Sequence, residues 1–272
     1  MPTLSDDVYR YIWDGHLISN GINPYAFPVI SPLLDSLSIS VRSLVNHNWM
    51  ASPYLPTAQL VFATLVKIIP QNITIFQIAA VGFDLLTGWI VLDILRILRL
   101  SRRNVLVYLW NPLVIIEFSH SAHVDAMMIC FMMVAFWLLI KDSPLSQKYL
   151  IGSVLALAAA TLTKFLPILV LPLFWRRWDW KMKVFFFVIL IVALGLFVPT
   201  AGLGITGPSD GVGIFGALRI YLQDWNYNGS IYHWLEVWIS GYSTPGAVPV
   251  DLVGKNPIII AKAISFSLLT IV

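Results

Sequence analysis

Carboxylates, a cation and aromatic rings lie close together near the N-terminus of the chain. The segment 5–28 reads SDDVYRYIWDGHLISNGINPYAFP. In a helix, side chains three or four positions apart share a face, so the polar residues of this segment would converge. A carboxylate can accept a proton in a group-transfer reaction, and a cation can meet a phosphate. The candidate residues are Asp6, Asp7, Arg10, Tyr11, Trp13 and Asp14.

The same residues also fit a purely structural interpretation. Asp6 would then cap a helix, while Asp7 and Arg10 would form an ion pair on the surface. The aromatic residues would belong to a belt at the membrane interface. Residue types alone leave both interpretations open.

Three polar residues further along the chain interrupt apolar surroundings. His123 and Asp125 stand where an apolar run begins, and a carboxylate at that position is often only a helix cap. Lys164 lies inside the apolar run 155–172, where an unpaired ammonium would cost about 2.5 to 3.5 kcal/mol at the bilayer centre. Lys164 therefore either snorkels to water at the outer boundary or has a functional partner. His123 either belongs to the helix start or binds a ligand.

The elements that must position these residues are membrane helices. Hydrophobic residues make up 58% of the 272 positions and charged residues 11%, and the mean hydropathy is +0.80. A soluble domain carries roughly a quarter of its residues charged, so this composition indicates a membrane protein. The run 57–70 is ambiguous, because it fits either a tilted crossing or an interfacial helix. The other apolar runs are 73–97, 105–118, 124–140, 149–175, 184–199 and 258–272.

Basic residues concentrate in alternate connections between these runs. The connections 96–103, 141–148 and 176–183 hold most of the lysines and arginines, which predicts that they face the cytoplasm. The carboxylates gather on the opposite, outer face, where a site is therefore predicted. The net charge of +3 is too small and scattered to indicate a nucleic-acid partner. We divide this single membrane module into a first outer loop at 1–57, a helix bundle at 58–199, an outer loop at 200–257 and the start of a truncated helix at 258–272.

The order of several short motifs resembles GT-C glycosyltransferases. The resemblance is to bacterial polyprenyl-phosphate-mannose-dependent mannosyltransferases and to the related glycosylphosphatidylinositol mannosyltransferase catalytic subunit. Each motif alone is weak, but their order and their positions at membrane boundaries make the combination specific. It covers roughly 5–180, with a weaker similarity at 226–232. Besides the segment 5–28, the motifs are Tyr54-Leu55-Pro56 with Gln59, Trp110-Asn111-Pro112, His123-Val124-Asp125, and Lys164-Phe165-Leu166-Pro167 followed by Pro172 and Arg176-Arg177.

The resemblance implies an all-α, polytopic GT-C transmembrane helix bundle with long outer loops and short interfacial helices. It also implies a transmembrane helix ahead of the aspartates. Only five residues precede Asp6, so we expect the chain to lack the first and the last transmembrane helices of the family.

The reaction implied by the resemblance is glycosyl transfer with inversion at the anomeric carbon. A hexosyl residue, mannosyl in the families named, would pass from a polyprenyl-phosphate donor to a lipid-linked or cell-envelope glycan acceptor on the extracytoplasmic face. Asp6 is the predicted base, and Asp7 is second because the family places its second carboxylate one position later. That departure leaves open whether Asp6 and Asp7 hold Mg²⁺ or Mn²⁺.

The remaining candidates would bind the substrates and the surrounding lipids. Arg10, His123 and Lys164 would meet the phosphate, and Asp14 would orient the acceptor or hold a loop. We expect Asp6, Arg10, Asp14 and His123 to converge in one outer cavity. The other predicted binding residues are Tyr11, Trp13, Tyr54, Gln59 and Asp125.

Two other functions stay open at this point. The chain could be a noncatalytic lipid-binding or polyprenyl-binding subunit, or a transporter of lipid-linked sugars. A transporter would carry its polar groups at mid-membrane in two symmetric halves, and the sequence shows no internal repeat.

Overall fold

The computed structural model describes residues 4–141, 146–205 and 210–223. Within these ranges the chain is helical without a strand, which confirms the all-α prediction. The motif at 226–232 and the apolar run at 258–272 lie outside the described residues. The α-helices are α1 (Asp7–Ser19), α2 (Pro56–Ile68), α3 (Ile73–Ile97), α4 (Leu106–Leu109), α5 (Pro112–Val114), α6 (Asp125–Ile140), α7 (Gln147–Thr161), α8 (Leu171–Trp175), α9 (Trp180–Gly195), α10 (Val198–Ala201) and α11 (Gly216–Gln223). Short 3-10 helices span Pro32–Leu37, Ser40–Leu44, Arg102–Val105 and Leu166–Val170, and a π-helical turn spans Ile115–His120.

Several helices begin where the sequence supplies a cap or a proline. The side chain of Asn72 accepts a hydrogen bond from the backbone N–H of Ile75 at the start of α3. Asp179 does the same for α9, through the N–H of Met182. Helix α2 starts at Pro56, because the first turn of a helix needs no N–H from that position.

One described helix, α3, is by itself long and apolar enough to cross a bilayer, with 25 residues. The segments Pro112–His120 and Asp125–Ile140 would form a second crossing if they act together, although they meet at an angle of 115°. The ambiguous run 57–70 forms a helix of 13 residues, short of the roughly 20 that a crossing needs.

Two apolar runs are broken at their prolines, as prolines inside helical runs predict. The run 105–118 divides at Asn111, so that Pro112 starts a new helix. The run 149–175 stops at Thr161 and resumes at Leu166 as a 3-10 helix. Lys164 lies in this second break, where the chain leaves the helix and polar side chains can reach the end of the bundle.

The helices pack in a consecutive series. Helix α1 packs on α2, α3 on α6, α6 on α7, and α7 on α9. Residues of α1, α2, α3 and the start of α6 share one hydrophobic core, while the end of α6, α7, α8 and α9 share another. Gly15 allows α1 and α2 to touch backbone to backbone, because a Cβ there would lie 2.6 Å from the carbonyl oxygen of Phe62.

The three basic connections lie at one end of this assembly. The indole Nε1–H of Trp137, near the end of α6, donates to Asp93 near the end of α3 at 2.8 Å. The indole of Trp178 donates to Ser153 in the middle of α7 at 2.9 Å. These bonds bring together the ends of α3 and α6 and hold the connection before α9 against α7. Lys141 stacks over Trp137 at 3.6 Å from the ring centroid, as basic residues do beside interfacial tryptophans.

We predict that this basic end faces the cytoplasm. In a Cys130→Ser background, Arg102→Cys and Lys181→Cys should resist a membrane-impermeant maleimide in intact cells and react after permeabilisation. Leu33→Cys, which replaces an exposed residue of the first outer loop, is the control and should react in intact cells. Labelling of either basic-end cysteine in intact cells would overturn the topology.

Candidate active site

A cavity of about 420 Å³ opens at the end of the bundle opposite the basic connections. Its polar side is formed by Asp7 at the start of α1, His123 just before α6 and Lys164 in the break after α7. The remaining lining residues are Pro53, Tyr54, Leu55, Phe165, Leu166, Ile214, Leu218 and Tyr221. Segments that are far apart in the sequence therefore place a carboxylate, an imidazole and an ammonium around one space.

Lys164 is paired rather than left alone in an apolar run. Its ammonium lies 2.7 and 2.9 Å from the two carboxylate oxygens of Asp125. Both side chains are partly open, with 40% of the Lys164 side chain and 29% of the Asp125 side chain exposed. An ammonium has three donors, so two can hold Asp125 while the third points elsewhere. The pair offsets the cost of placing a cation among apolar residues, and it leaves the ammonium able to meet an anion.

His123 is held between two carboxylates. Its Nδ1 lies 3.3 Å from an oxygen of Glu117 and 4.0 Å from an oxygen of Asp125. Asp125 opens helix α6, where a carboxylate interacts favourably with the helix dipole. Asp125 makes no side-chain cap bond to α6, and its carboxylate instead pairs with Lys164.

Asp6 and Asp7 share a donor that the sequence did not single out. The side-chain N–H groups of Asn46 lie 2.7 Å from one oxygen of each carboxylate. Asp6 is exposed and makes no side-chain cap bond to α1, whereas Asp7 is half-buried and lines the cavity. The sequence ranked Asp6 first as the base, but the geometry favours Asp7 because it faces the space where a substrate would lie.

The metal site left open at Asp6 and Asp7 does not fit these residues as they stand. An amide donor already lies between the two carboxylates, where a cation would have to bind. Among the described residues, no three His, Cys, Asp or Glu side chains cluster closely enough to hold a metal ion. We assign no step of the chemistry to a metal.

Arg10 occupies a different place from the one expected. Its guanidinium is 2% exposed and donates to the carbonyls of Asn46 at 2.9 Å, His47 at 2.8 Å and Met50 at 3.1 Å. Neither a phosphate contact nor a surface pair with Asp7 is possible for a side chain enclosed in this way. The loop 46–50 turns through His47 in a left-handed conformation, and its carbonyls need the several donors that an arginine supplies.

Asp14 and Gln59 form a buried polar network beneath the cavity. Asp14 accepts hydrogen bonds from Ser52 and from Gln59, and Gln59 also donates to Ser52 at 2.6 Å. Burial raises the pKa of Asp14 to about 6, against the opposing effects of Arg10, Ser52 and Gln59. Of the two roles predicted for Asp14, the structure shows the one that holds a loop, because the carboxylate ties α1 to residue 52. Gln59 likewise supports this loop instead of contacting a substrate.

The aromatic residues of α1 do not present their rings to the cavity. Trp13 is fully buried among Leu17, Val29 and Leu34, so its predicted sugar contact is wrong. Tyr11 is also buried and stacks on Phe62 at 4.6 Å.

Tyr11 instead supports the residues next to the cavity. Its hydroxyl accepts the backbone N–H of Val124 at 3.3 Å, directly after His123. Tyr54 packs edge-on against Tyr11 and lines the cavity. Of the predicted set, Asp7, Tyr54, His123 and Lys164 therefore meet at the cavity, while the α1 side chains behind them hold its wall.

Comparisons with known proteins agree with the motifs. The model of the MptA_B family, described as "Alpha-(1->6)-mannopyranosyltransferase, N-terminal domain", matches residues 1–179. The chain is 25% identical over 182 residues to alpha-(1->6)-mannopyranosyltransferase A of Corynebacterium glutamicum. That match covers 63% of this chain and 34% of the relative, so the chain spans about a third of the length of the curated relative it matches. No solved structure matches.

The raised pKa of Asp14 predicts a pH-dependent stability. The folded state holds the Asp14 proton more tightly than the unfolded chain, whose ordinary value is 3.8. The stabilisation is therefore complete below pH 3.8 and is lost as the pH rises through about 6. Between pH 7 and pH 5 the wild type should gain about 1 kcal/mol relative to Asp14→Asn, which cannot titrate. Apparent Tm values of both detergent-solubilised proteins at the two pH values test this, and parallel pH profiles would contradict it.

Proposed function

This chain belongs to the alpha-(1->6)-mannopyranosyltransferase family, and on that premise we propose that it carries the active site of a membrane mannosyltransferase. A mannosyl residue passes from a polyprenyl-phosphate donor to a hydroxyl of a glycan or glycolipid acceptor, with inversion at the anomeric carbon. The observation that carries the proposal is the cavity that Asp7, His123 and Lys164 line together. Such a transfer needs a proton acceptor and cationic donors around one space.

Asp7 is the base in this proposal. As the acceptor oxygen forms its bond to the anomeric carbon, its proton passes to a carboxylate oxygen of Asp7. The bond between the anomeric carbon and the phosphate oxygen breaks on the opposite side, and its electron pair leaves with the polyprenyl phosphate. Asn46 restricts the orientation of the Asp7 carboxylate, which favours the geometry of transfer.

Lys164 and His123 stabilise the departing phosphate. Negative charge grows on the phosphate oxygen as the glycosidic bond breaks, and donors fixed in advance stabilise that charge most effectively. Lys164 is fixed by its pair with Asp125, and His123 is fixed by Glu117 and Asp125. Arg10, which the sequence included among the phosphate ligands, has a supporting role through the loop 46–50.

The protein lies in the cell membrane with several crossings, and its active site is extracytoplasmic. Two features support this placement: the basic connections share one end of the helix assembly, and the cavity opens at the other. Lipids surround the exposed apolar side chains of α3 and α9, among them Ile78, Trp89 and Ile191. The phosphate of a lipid-linked donor then lies at the level of the cavity while its chain stays in the bilayer.

A cavity at one end of the bundle favours an enzyme over a transporter. A transporter places its binding site near mid-membrane between two related halves. The Asp7, His123 and Lys164 side chains meet instead at the end opposite the basic connections. A noncatalytic subunit that only binds the lipid would need no base, so substitution of the aspartates separates that alternative from the enzyme.

Substitution of the two aspartates should affect activity differently. In membranes that contain the full-length protein, Asp7→Asn should lower kcat for transfer from polyprenyl-phosphate mannose by about 10²- to 10⁴-fold with little change in KM, because the proton acceptor is lost and the shape is kept. Asp6→Asn, exposed beside it, is the matched control and should have a milder effect. An inactive Asp6→Asn beside a near-normal Asp7→Asn would restore the order that the sequence suggested, and full activity of both would exclude the two aspartates from catalysis.

Loss of the Lys164 charge should affect the donor reaction selectively. Lys164→Met should lower kcat/KM for the donor by about 10²-fold, because one fixed cation no longer stabilises the departing phosphate. Lys67→Met removes an exposed ammonium at the end of α2 and should leave the rate unchanged. The double variant Asp125→Asn with Lys164→Met removes both charges, which separates a folding defect from a catalytic one. A normal donor kcat/KM in Lys164→Met would contradict the phosphate role.

A further inference from the structure

Glu117 is a charged residue in an apolar segment that the motifs do not assign. It lies between Ile116 and Phe118 in the π-helical turn Ile115–His120, just after the break at Pro112. A carboxylate in such surroundings is costly unless it has a partner, and π-helical turns often occur at functional sites. We therefore expect Glu117 to have a partner that stabilises its carboxylate.

Glu117 meets His123 through both backbone and side chain. Its carbonyl accepts the backbone N–H of His123 at 3.0 Å, and its carboxylate lies 3.3 Å from Nδ1 of the imidazole. Between them the chain turns at Ala122 with a φ of 58°, a left-handed conformation that costs free energy for a residue with a Cβ. Such a turn persists only where the surroundings enforce it, and here it brings the imidazole back to the carboxylate.

The second nitrogen of the imidazole stands apart from this contact. Nε2 of His123 is buried and has no hydrogen-bond partner within the part of the chain that the structure describes. His123 lines the cavity together with Asp7 and Lys164. With Nδ1 close to Glu117 and Asp125, Nε2 is the ring nitrogen that has no partner among the described residues.

We propose that Glu117 is a positioning residue that fixes the proton on Nδ1 of His123, so that Nε2 serves the departing phosphate. This inference rests on the proposed function. A carboxylate oxygen can only accept, so the ring must keep Nδ1–H toward Glu117, in the manner of carboxylates that orient functional histidines.

Because the proton on Nδ1 is fixed, Nε2 is the ring nitrogen at which a proton can be gained or lost. When the ring is doubly protonated, its Nε2–H donates a hydrogen bond to the phosphate oxygen that takes up the electron pair of the broken glycosidic bond. His123 forms no covalent bond to the sugar or to the phosphate in that step. Glu117 and Asp125 both lie beside Nδ1 of His123, so the phosphate contact is left to Nε2.

The tautomer of His123 tests the proposal without turnover. ¹⁵N-histidine spectra of the full-length protein in nanodiscs are compared at a pH where the ring is neutral. The chain has five histidines, and His123→Gln identifies the signal by its loss. We expect the Nδ1–H tautomer in the wild type and in Glu117→Asp, and its loss in Glu117→Leu. If Glu117→Leu does not fold, Glu117→Met replaces it. Retention of the Nδ1–H tautomer without the carboxylate would overturn the proposal.

A double-mutant cycle on mannosyl transfer tests the same link independently. Glu117→Leu and His123→Gln should each lower kcat by about 10- to 100-fold, and the double variant should be no worse than His123→Gln alone within roughly threefold. Multiplied losses would show that Glu117 does not act through His123 and would overturn the proposal. A wild-type protein that transfers no mannose would instead refute the proposed function, and the tautomer spectra would still decide the role of Glu117.

Discussion

The site depends first on the enclosure of the Arg10 guanidinium. A buried cation is tolerated only when its donors are satisfied, and Arg10 meets that requirement with three carbonyls of the loop 46–50. Hydrogen bonds to charged groups contribute about 1.5 to 3 kcal/mol each, which is enough to hold the left-handed turn at His47. The loop in turn presents Asn46 to Asp6 and Asp7. The position of the carboxylates is therefore set by an arginine that lies behind them and never enters the cavity.

A second constraint ties the distant segments of the cavity to one another. The break after α7 exposes the carbonyl of Leu162, and the backbone N–H of Thr57 at the start of α2 donates to it at 2.9 Å. Lys164, two residues later, pairs with Asp125 at the start of α6. A broken helix leaves backbone groups without partners inside the chain, so neighbouring helix ends must supply them. The same break thus satisfies its own backbone and brings the ammonium, the carboxylate and the helix ends together.

The sequence predicted the parts of this arrangement that depend on local pattern. Helix α3 fills the apolar run 73–97, and the prolines mark the two breaks. We expected Asp6, Arg10, Asp14 and His123 to converge in one cavity, but of these four only His123 is among the described lining residues, where it joins Asp7 and Lys164. The sequence could not rank Asp7 above Asp6, because the two residues are neighbours in the chain. Which of them faces the cavity is decided only by how α1 packs against the other helices. The burial of Arg10 and Trp13 was not predicted for a related reason. Residues 46–50 enclose Arg10 and residues 29–45 cover Trp13, and spacing within α1 carries no information about segments that fold back over it. No motif in the sequence marks Asn46, because it meets Asp6 and Asp7 only when the loop that contains it folds back over α1.

The two sides of the cavity differ in chemistry and in their place along the chain. Asp7, Tyr54, His123 and Lys164 all lie within the matched segment 1–179, whereas Ile214, Leu218 and Tyr221 lie beyond it. The later segment is fastened by Met50, which packs with Ala217 and Ile220, and by the hydrogen bond from the N–H of Ala51 to the carbonyl of Asp210. Both anchors adjoin the loop that Arg10 holds. The apolar side of the cavity is thus positioned by the same loop that orients the carboxylates, and a change in that loop would alter the reacting groups and the enclosing wall together.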